Sequence, residues 1–568
     1  MIGLGERLRR FPVSHSFGNG LDLQRHLCGS RAGQGTQLSK AGLQNQDRLW
    51  DVAIIGSGMG GGFVARALAD AGHDVSLIER GNEKLSESSG NMPSEDPEKR
   101  LTESRWPNSS TFEIDGVTSR FYAPLGSGLG GSANWYAAAL ERFGDLDLDS
   151  RPESVHPTGG WPIRYSELLP YYEQAERMLH VVGTNDPLSV HEANHLGEPP
   201  PLGPADSELV RFFQTCGMHP YRLHVGIRYL PGCDECLGKL CYRDCRADVR
   251  SVLAEARRKP TVISRCEVVK LESSGNRVTC AFGIQGERHI KIRAKVFVLA
   301  AGAIHSPKLL LQSRSDQWPD GLANRSGLVG RNLMFHVNQS FALWPSKRMP
   351  SSGPRKSIGV RDFYIADGRR CGFVQSTGFE LGYGELLMHF YRRFDHGAAR
   401  RFRALRPFLR IPAALTIKRF GRGTIFVCLI EDFPYRDNRV ILDEREDDGV
   451  RIQYTIKAEL RERTAHFRKL LTDGLKGRRM TFLSHDIELN YGHPCGTCVM
   501  NDDPSAGVAN RDCRAHGIDN FFIVDASFMP SSAACNPSLT IAANALRVSA
   551  VIHRRLIASD NVAEPARI

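Results

Sequence analysis

The 568-residue chain has no apolar run approaching the roughly 18–20 residues that cross a bilayer. Its longest candidate, Val296 to Ile304, reads as a buried strand running into a turn. An integral membrane helix is therefore excluded. The N-terminus lacks an apolar stretch of about 7–15 residues, so no secretory signal is read there. Arg9-Arg10 is a twin arginine with no hydrophobic region after it. No nucleic-acid recognition motif accompanies the basic charge, which argues against nucleic acid as a partner. Without an export signal, the 14 cysteines are expected as reduced thiols in a cytoplasmic protein. Residues 1 to about 48 are rich in Gly, Ser, Gln and Arg, with little periodicity. Two readings of them stay open: a loosely ordered extension, or a start codon placed too far upstream.

What is present is an ordinary globular composition with an uneven charge. The net charge is +11. Much of it falls between Met388 and Gly423, where ten arginines and lysines face the single acid Asp395, with phenylalanines and leucines interleaved. Three readings stay open. Arginine stems can cover apolar surface on a solvated helix face. The stretch can rest peripherally on an anionic membrane or dock a redox partner. It can also attract an anionic substrate.

The first chemical motif is a nucleotide loop. Asp51 to Ile55 is a short apolar run of the kind found in buried parallel strands. Gly56-Ser-Gly58-Met-Gly60-Gly61 follows, then a helical pattern from Phe63 to Ala71, then a second strand, Val75 to Ile78, ending at Glu79. Gly56 permits a tight turn, Gly58 lets backbone approach a pyrophosphate, and Gly61 lets the helix pack closely on the strand. The helix N-terminus offers free N–H groups to phosphate. Glu79 is placed to accept hydrogen bonds from ribose hydroxyls. This motif alone does not separate FAD from NAD.

Far along the chain stand His493-Pro-Cys-Gly496-Thr497 and Asn536-Pro537-Ser-Leu-Thr540. A second glycine run, Gly126-Ser-Gly128-Leu-Gly130-Gly131-Ser132-Ala-Asn134, follows the first. Together these motifs resemble the glucose–methanol–choline (GMC) family of flavin-dependent alcohol oxidoreductases, bacterial type, from Trp50 to about Leu556. The resemblance implies FAD, with Gly126, Gly130, Gly131, Ser132 and Asn134 along the isoalloxazine and pyrophosphate. It also implies cofactor contacts from Asp525 and Ala526, at the end of Phe521-Phe-Ile-Val, and from Pro537. Some family members tether FAD through a histidine near the second run. None lies between Phe121 and Phe143, so FAD is expected to bind non-covalently. Ser306-Pro307 is expected to start a helix, and His305 to be structural.

Oxidising an alcohol removes a hydride from carbon and a proton from oxygen. The resemblance implies that His493 is the base, with flavin N5 as hydride acceptor. Histidine suits the task, because its unperturbed pKa lies near neutrality. Asn536 occupies the position of the second catalytic residue, where an amide can hold the substrate oxygen. An intact His493 and Asn536 argue against a flavoprotein that has lost catalysis. The substrate is a small-molecule alcohol, with a sugar, amino sugar or polyol favoured. The alternative is a membrane-surface dehydrogenase of a long-chain or sterol alcohol. The electron acceptor is oxygen, a quinone or a cytochrome.

Cys233-x2-Cys236-x4-Cys241-x3-Cys245 is a dense cluster. Free thiols or a local disulfide, an iron–sulfur cluster, and zinc all remain open. The spacing of Cys236, Cys241 and Cys245 is similar to that of bacterial sugar dehydrogenases holding a cluster near the flavin. Here Arg246-Ala-Asp248-Val stands where Pro-x-Gly-Ala often follows in those enzymes. Cys495 and Cys498 read as packing residues.

The expected fold is α/β: a Rossmann-like FAD-binding domain, discontinuous in sequence, with an α+β substrate domain built on an antiparallel sheet. The FAD domain is assigned to 49–160, 248–331 and 490–560. The substrate domain is assigned to 161–247 and 332–489, and 1–48 is the extension. Ser166 is expected to cap a helix near the start of the substrate domain. Asn438–Leu442 and Val450–Tyr454 are expected to join the sheet that roofs the substrate cavity.

Overall fold

A computed structural model describes residues 43–83, 107–150, 156–230, 245–350, 353–396, 405–484 and 486–563. The architecture below is that of the unit beginning at Gln44. The strand Leu43–Ile55 pairs in parallel with Val75–Ile78, in register from Val52↔Val75 to Ile55↔Ile78. Val75–Ile78 pairs in parallel with Thr261–Ile263. On the other side of Leu43–Ile55 stands the long strand Arg288–Leu299. Phe521–Ile523 joins it in parallel, and the antiparallel strands Arg277–Gln285 and Cys266–Ser274 continue the sheet. Val52 to Ile54 have no exposed surface, as a strand covered on both faces requires. One sheet thus draws on three stretches of chain hundreds of residues apart. The helix Met59–Asp70 begins four residues before the predicted Phe63, because Gly60, Gly61 and Gly62 form its first turn.

The second sheet is antiparallel, in the order Met480–Phe482, Met334–Leu343, Gly423–Ile430, Gly372–Leu381, Ile358–Val360 and Tyr221–Arg222. Glu488–Cys495, which carries His493, also pairs with Met334–Leu343. The expected α/β class and the antiparallel second sheet are both present.

Three local expectations are corrected. Arg439–Leu442 and Val450–Tyr454 are strands, but not in the roof sheet. They form a separate four-stranded sheet with Ser110–Ile114 and Val117–Phe121. Their inward residues Val440, Val450, Ile452 and Tyr454 share a core with Phe112, Leu333 and Phe335. Ser166 does not cap its helix. Tyr165–Met178 is capped by Arg164, whose backbone N–H donates to Glu167 Oε1 at 2.9 Å. Pro307 lies in the interior of Gly302–Gln312 rather than at its first position. A proline there leaves the carbonyl four residues back without its helical donor. That carbonyl, Ala303 O, accepts instead from Thr497 Oγ1 at 2.6 Å.

The C-terminal helix Ser538–Ala563 packs against both Met59–Asp70 and Tyr165–Met178. Trp161, Tyr165, Leu168 and Tyr172 therefore share one core with Val52, Ile54 and Phe63. The basic stretch holds two helices, Tyr383–His396 and Arg410–Phe420. Leu386 and Ala413 bury against Trp344 and Leu381, while Leu405, Phe408, Ile411 and Leu415 are exposed.

Thr497→Val removes the Thr497 Oγ1 hydrogen bond to Ala303 O, in a buried setting. It is expected to cost about 1–3 kcal/mol, read as a lower thermal midpoint. An unchanged midpoint would show that the proline gap needs no such donor.

Candidate active site

A cavity of about 620 Å³ runs between the first sheet and the antiparallel sheet. Its nucleotide end is built by backbone. A Cβ on Gly56, where φ is +97°, would stand 2.3 Å from Ala300 O. One on Gly60 would stand 2.4 Å from Val524 O, and one on Gly61 1.9 Å from Gly56 O. Of the four glycines Gly56, Gly58, Gly60 and Gly61, Gly58 alone has open space where a side chain would be. That bare backbone, at the N-terminus of Met59–Asp70, suits the close approach of a pyrophosphate. The residues present therefore fit FAD.

Glu79 ties the two glycine runs together. Its Oε2 accepts from Ser57 N at 3.2 Å and Ser57 Oγ at 2.5 Å. Its Oε1 accepts from Gly81 N at 2.8 Å and Gly128 N at 3.0 Å. The carboxylate predicted to meet a ribose thus already holds four protein donors. Ser57 Oγ also accepts from Gly130 N at 3.1 Å, and Ser132 Oγ from Gly126 N at 2.9 Å.

Of the predicted cofactor residues, Gly56, Gly58, Gly60, Glu79, Gly126, Gly131, Ser132, Asp525, Ala526 and Pro537 line the cavity. Gly61, Gly130 and Asn134 do not. Gly61 serves helix–strand packing. Asn134 is buried beneath the second run, where its Nδ2 donates to Leu129 O at 3.0 Å. Asp525 Oδ1 accepts from Ser527 N at 2.8 Å, and its Oδ2 accepts from Ser306 Oγ. His305 pairs through Nε2 with Asp448 at 3.0 Å and also borders the cavity. Cys233, Cys236 and Cys241 lie outside the described residues. Cys245 is buried. Cys495 and Cys498 are buried in two different hydrophobic clusters, and burial pushes both thiols well up.

The opposite end of the cavity is a sheet face. Side chains alternate along strands, so Asn338 and Ser340, Val427 and Leu429, and Gln375 and Thr377 point inward from three adjacent strands. His493 and Asn536 border this end. Gln375 Nε2 donates to Asn536 Oδ1 at 2.8 Å. That bond fixes the amide orientation and leaves Asn536 with its two N–H donors.

His336, on the strand beside His493, was not singled out from sequence. Its Nδ1 lies 2.9 Å from His493 Nδ1. Its Nε2 faces Ser532 O at 3.1 Å and Ala533 O at 3.0 Å. Carbonyls only accept, so the His336 proton sits on Nε2 and its Nδ1 is an acceptor. The proton between the rings then belongs to His493 Nδ1, and His493 Nε2 keeps its lone pair. Asn490 Nδ2 stands 3.2 Å from the same His493 nitrogen. With that nitrogen protonated, the contact is packing rather than a hydrogen bond. Burial, then the neighbouring His336 and Lys356, hold the His493 imidazole well below the ordinary histidine value. Burial also pushes His336 down, against the raising effect of its two carbonyls. Both shifts favour the neutral rings.

Lys356, Gln375 and His336 all escaped the sequence reading. They stand on strands or turns whose local sequence carries no motif. The available signal was polar residues two apart, His336, Asn338 and Ser340 in Met334–Leu343 and Gln375 and Thr377 in Gly372–Leu381; Lys356 lies in neither strand. With ¹⁵N-labelled histidine near neutral pH, His493 is expected to show a protonated Nδ1 and His336 a protonated Nε2. An imidazolium at either site would contradict the proton assignment.

A family model described as GMC oxidoreductase matches residues 59–338, and a second with the same description matches 434–545. The chain is 30% identical to 6'''-hydroxyparomomycin C oxidase of Streptomyces lividus, over 90% of this chain and 93% of that one. It is 28% identical to paromamine 6'-oxidase of Streptomyces fradiae, over 90% and 93%. Its fold is similar to that of pyridoxine 4-oxidase from Mesorbium loti, with a TM-score of 0.58 at 21% identity, covering 89% of this chain and 99% of that one. The two glycine runs, the paired histidines and these matches give one conclusion: the chain belongs to the GMC oxidoreductase family, FAD-dependent enzymes that act on CH–OH donors.

Proposed function

We propose that this enzyme oxidises a CH–OH group of a sugar, amino sugar or polyol to a carbonyl, with His493 as base and Asn536 holding the substrate oxygen. The observation that carries the substrate class is the sheet face of the cavity, where Asn338, Ser340, Gln375 and Thr377 surround Val427 and Leu429. Amides and hydroxyls at this density suit a polyhydroxylated substrate better than a long-chain or sterol alcohol. Relatives named for oxidising paromamine and 6'''-hydroxyparomomycin C support the same class.

Bound FAD supplies a hydride acceptor. It would be held by the backbone of Gly56 to Gly60, by Gly126, Gly131 and Ser132, and by Asp525 and Ala526, without a covalent bond. The protein's own residues handle the proton. His493 Nε2 takes it from the hydroxyl, while the Nδ1–H donated to His336 keeps the ring in the base-competent tautomer. The Asn536 amide donates to the substrate oxygen as negative charge develops there. Gln375 prevents that amide from turning its carbonyl toward the oxygen.

His493→Ala is expected to lower kcat roughly 100- to 10,000-fold while FAD stays bound. A loss below tenfold would refute the base assignment. Protonation of His493 stops the reaction, and its pKa is depressed. The acid limb of kcat/KM should therefore lie below the ordinary histidine value of about 6.5. A limb at or above that value would contradict the buried, neutral ring.

The exposed stripe favours a second reading, for how electrons leave. Leu405, Phe408, Ile411 and Leu415 recur at helical spacing, with Arg410, Lys418 and Arg419 exposed beside them. No helix among the described residues is long and apolar enough to cross a membrane. An apolar stripe rimmed by cations suits an anionic bilayer surface, where a quinone would be reached. The protein should then cosediment with anionic vesicles and release at high salt, and Phe408→Glu with Leu415→Glu should abolish this. Equal weak binding to anionic and neutral vesicles would set this reading aside.

A further inference from the structure

The cavity contains one charge that the activity proposed above does not use. Lys356 precedes the strand Ile358–Val360 and is 8% exposed, with its side chain in the cavity wall. Among the described residues its ammonium makes no ion pair and no hydrogen bond. The other charged groups lining the cavity have partners. Glu79 holds four donors, Glu267 pairs with Arg80 at 2.9 Å and Lys308 at 3.9 Å, and Asp525 is held by Ser306 and Ser527. These carboxylates all belong to the nucleotide end. The antiparallel sheet contributes only neutral polar and apolar side chains. The acid whose charge acts on Lys356 is Glu141, already committed to Tyr221 at 2.8 Å, His224 N–H at 2.9 Å and Arg361 at 3.0 Å.

An ammonium left unpaired on a largely buried side chain is costly, and proteins rarely retain one without a use. Burial here pulls the amine down to about 8, so near neutrality it is still largely charged. It sits beside the sheet face that carries the amides and hydroxyls, and it contributes to the field acting on His493. We infer that Lys356 forms a carboxylate-binding subsite, and that the physiological substrate is a monoanionic polyhydroxy acid rather than a neutral or cationic sugar. One ammonium neutralises one charge, and the wall around it offers neutral donors and acceptors for hydroxyls. A phosphate ester would bring nearly two charges to a site with one cation. A protonated amino sugar would meet like charge in a low-dielectric cavity. The inference rests on the polyhydroxylated-substrate reading and narrows it by setting its neutral-sugar and amino-sugar branches aside. It also implies that a bound carboxylate offsets the Lys356 charge and so makes His493 a stronger base once substrate is seated.

The test uses the FAD-loaded protein. Flavin reduction is followed without oxygen, using gluconate and its neutral counterpart sorbitol. Binding of glutarate, which has no hydroxyl to oxidise, is read from the flavin absorption spectrum. The wild type is expected to favour gluconate in kcat/KM. In Lys356→Met the gluconate-to-sorbitol ratio should fall roughly thirtyfold, glutarate should no longer perturb the spectrum, and Lys356→Arg should restore part of both. Because the methionine removes an unpaired buried charge, its thermal midpoint should be equal or higher. A purely structural lysine would lower that midpoint and leave the ratio alone. If sorbitol reduces the flavin, glutarate leaves the spectrum unchanged and Lys356→Met does not alter the ratio, the carboxylate subsite is wrong and the polyol reading stands. If glutarate binds through Lys356 but neither compound reduces the flavin, the anion site stands and the polyol reading falls.

Discussion

Everything at this site depends on backbone approaching backbone where side chains are missing. Gly56, Gly60 and Gly61 let three segments meet: the first nucleotide turn, the end of Arg288–Leu299, and the stretch after Phe521–Ile523. A single methyl at any of them would fall within 2.4 Å of a carbonyl oxygen. The Glu79 carboxylate then locks the second glycine run onto the first through Ser57 and Gly128. The segment that continues from this junction, after Ala526, leads within a few residues to the carbonyls of Ser532 and Ala533 and on to Asn536. Nucleotide end and chemical end are thus one continuous construction.

The chemical end is organised by single hydrogen bonds that remove ambiguity. The carbonyls of Ser532 and Ala533 fix the His336 tautomer, and His336 fixes that of His493. Gln375 does the same for the Asn536 amide. Each partner comes from the antiparallel sheet or the loop before Ser538–Ala563, so orientation is set by packing between elements. Burial lowers both imidazoles and the Lys356 amine, and it is the same low-dielectric enclosure that makes each remaining charge consequential.

The sequence was most legible where local physics dictates local structure. The Val75–Ile78 strand has its predicted bounds, and the glycine spacing marks the turn that forms. His493 and Asn536 could be singled out because their motifs are compact. Errors arose where a local rule was overridden by a distant partner. Pro307 sits inside a helix because Thr497, nearly two hundred residues later, serves the orphaned carbonyl. Asn134, expected beside the cofactor, is buried and donates to Leu129 O. Arg439–Tyr454 alternates as any amphipathic strand does, and alternation cannot name the sheet that a strand joins.

The amino-acid sequence by itself determined the fold class and the nucleotide turn and marked His493 and Asn536 as the candidates for the chemistry, because each is written in a run of neighbouring residues. Only the tertiary structure decided which tautomer His493 adopts, which way the Asn536 amide points and which cavity charge is left unpaired. Those depend on His336, Gln375 and Lys356, residues without a motif, whose roles come from distances across strands that sequence separation does not encode.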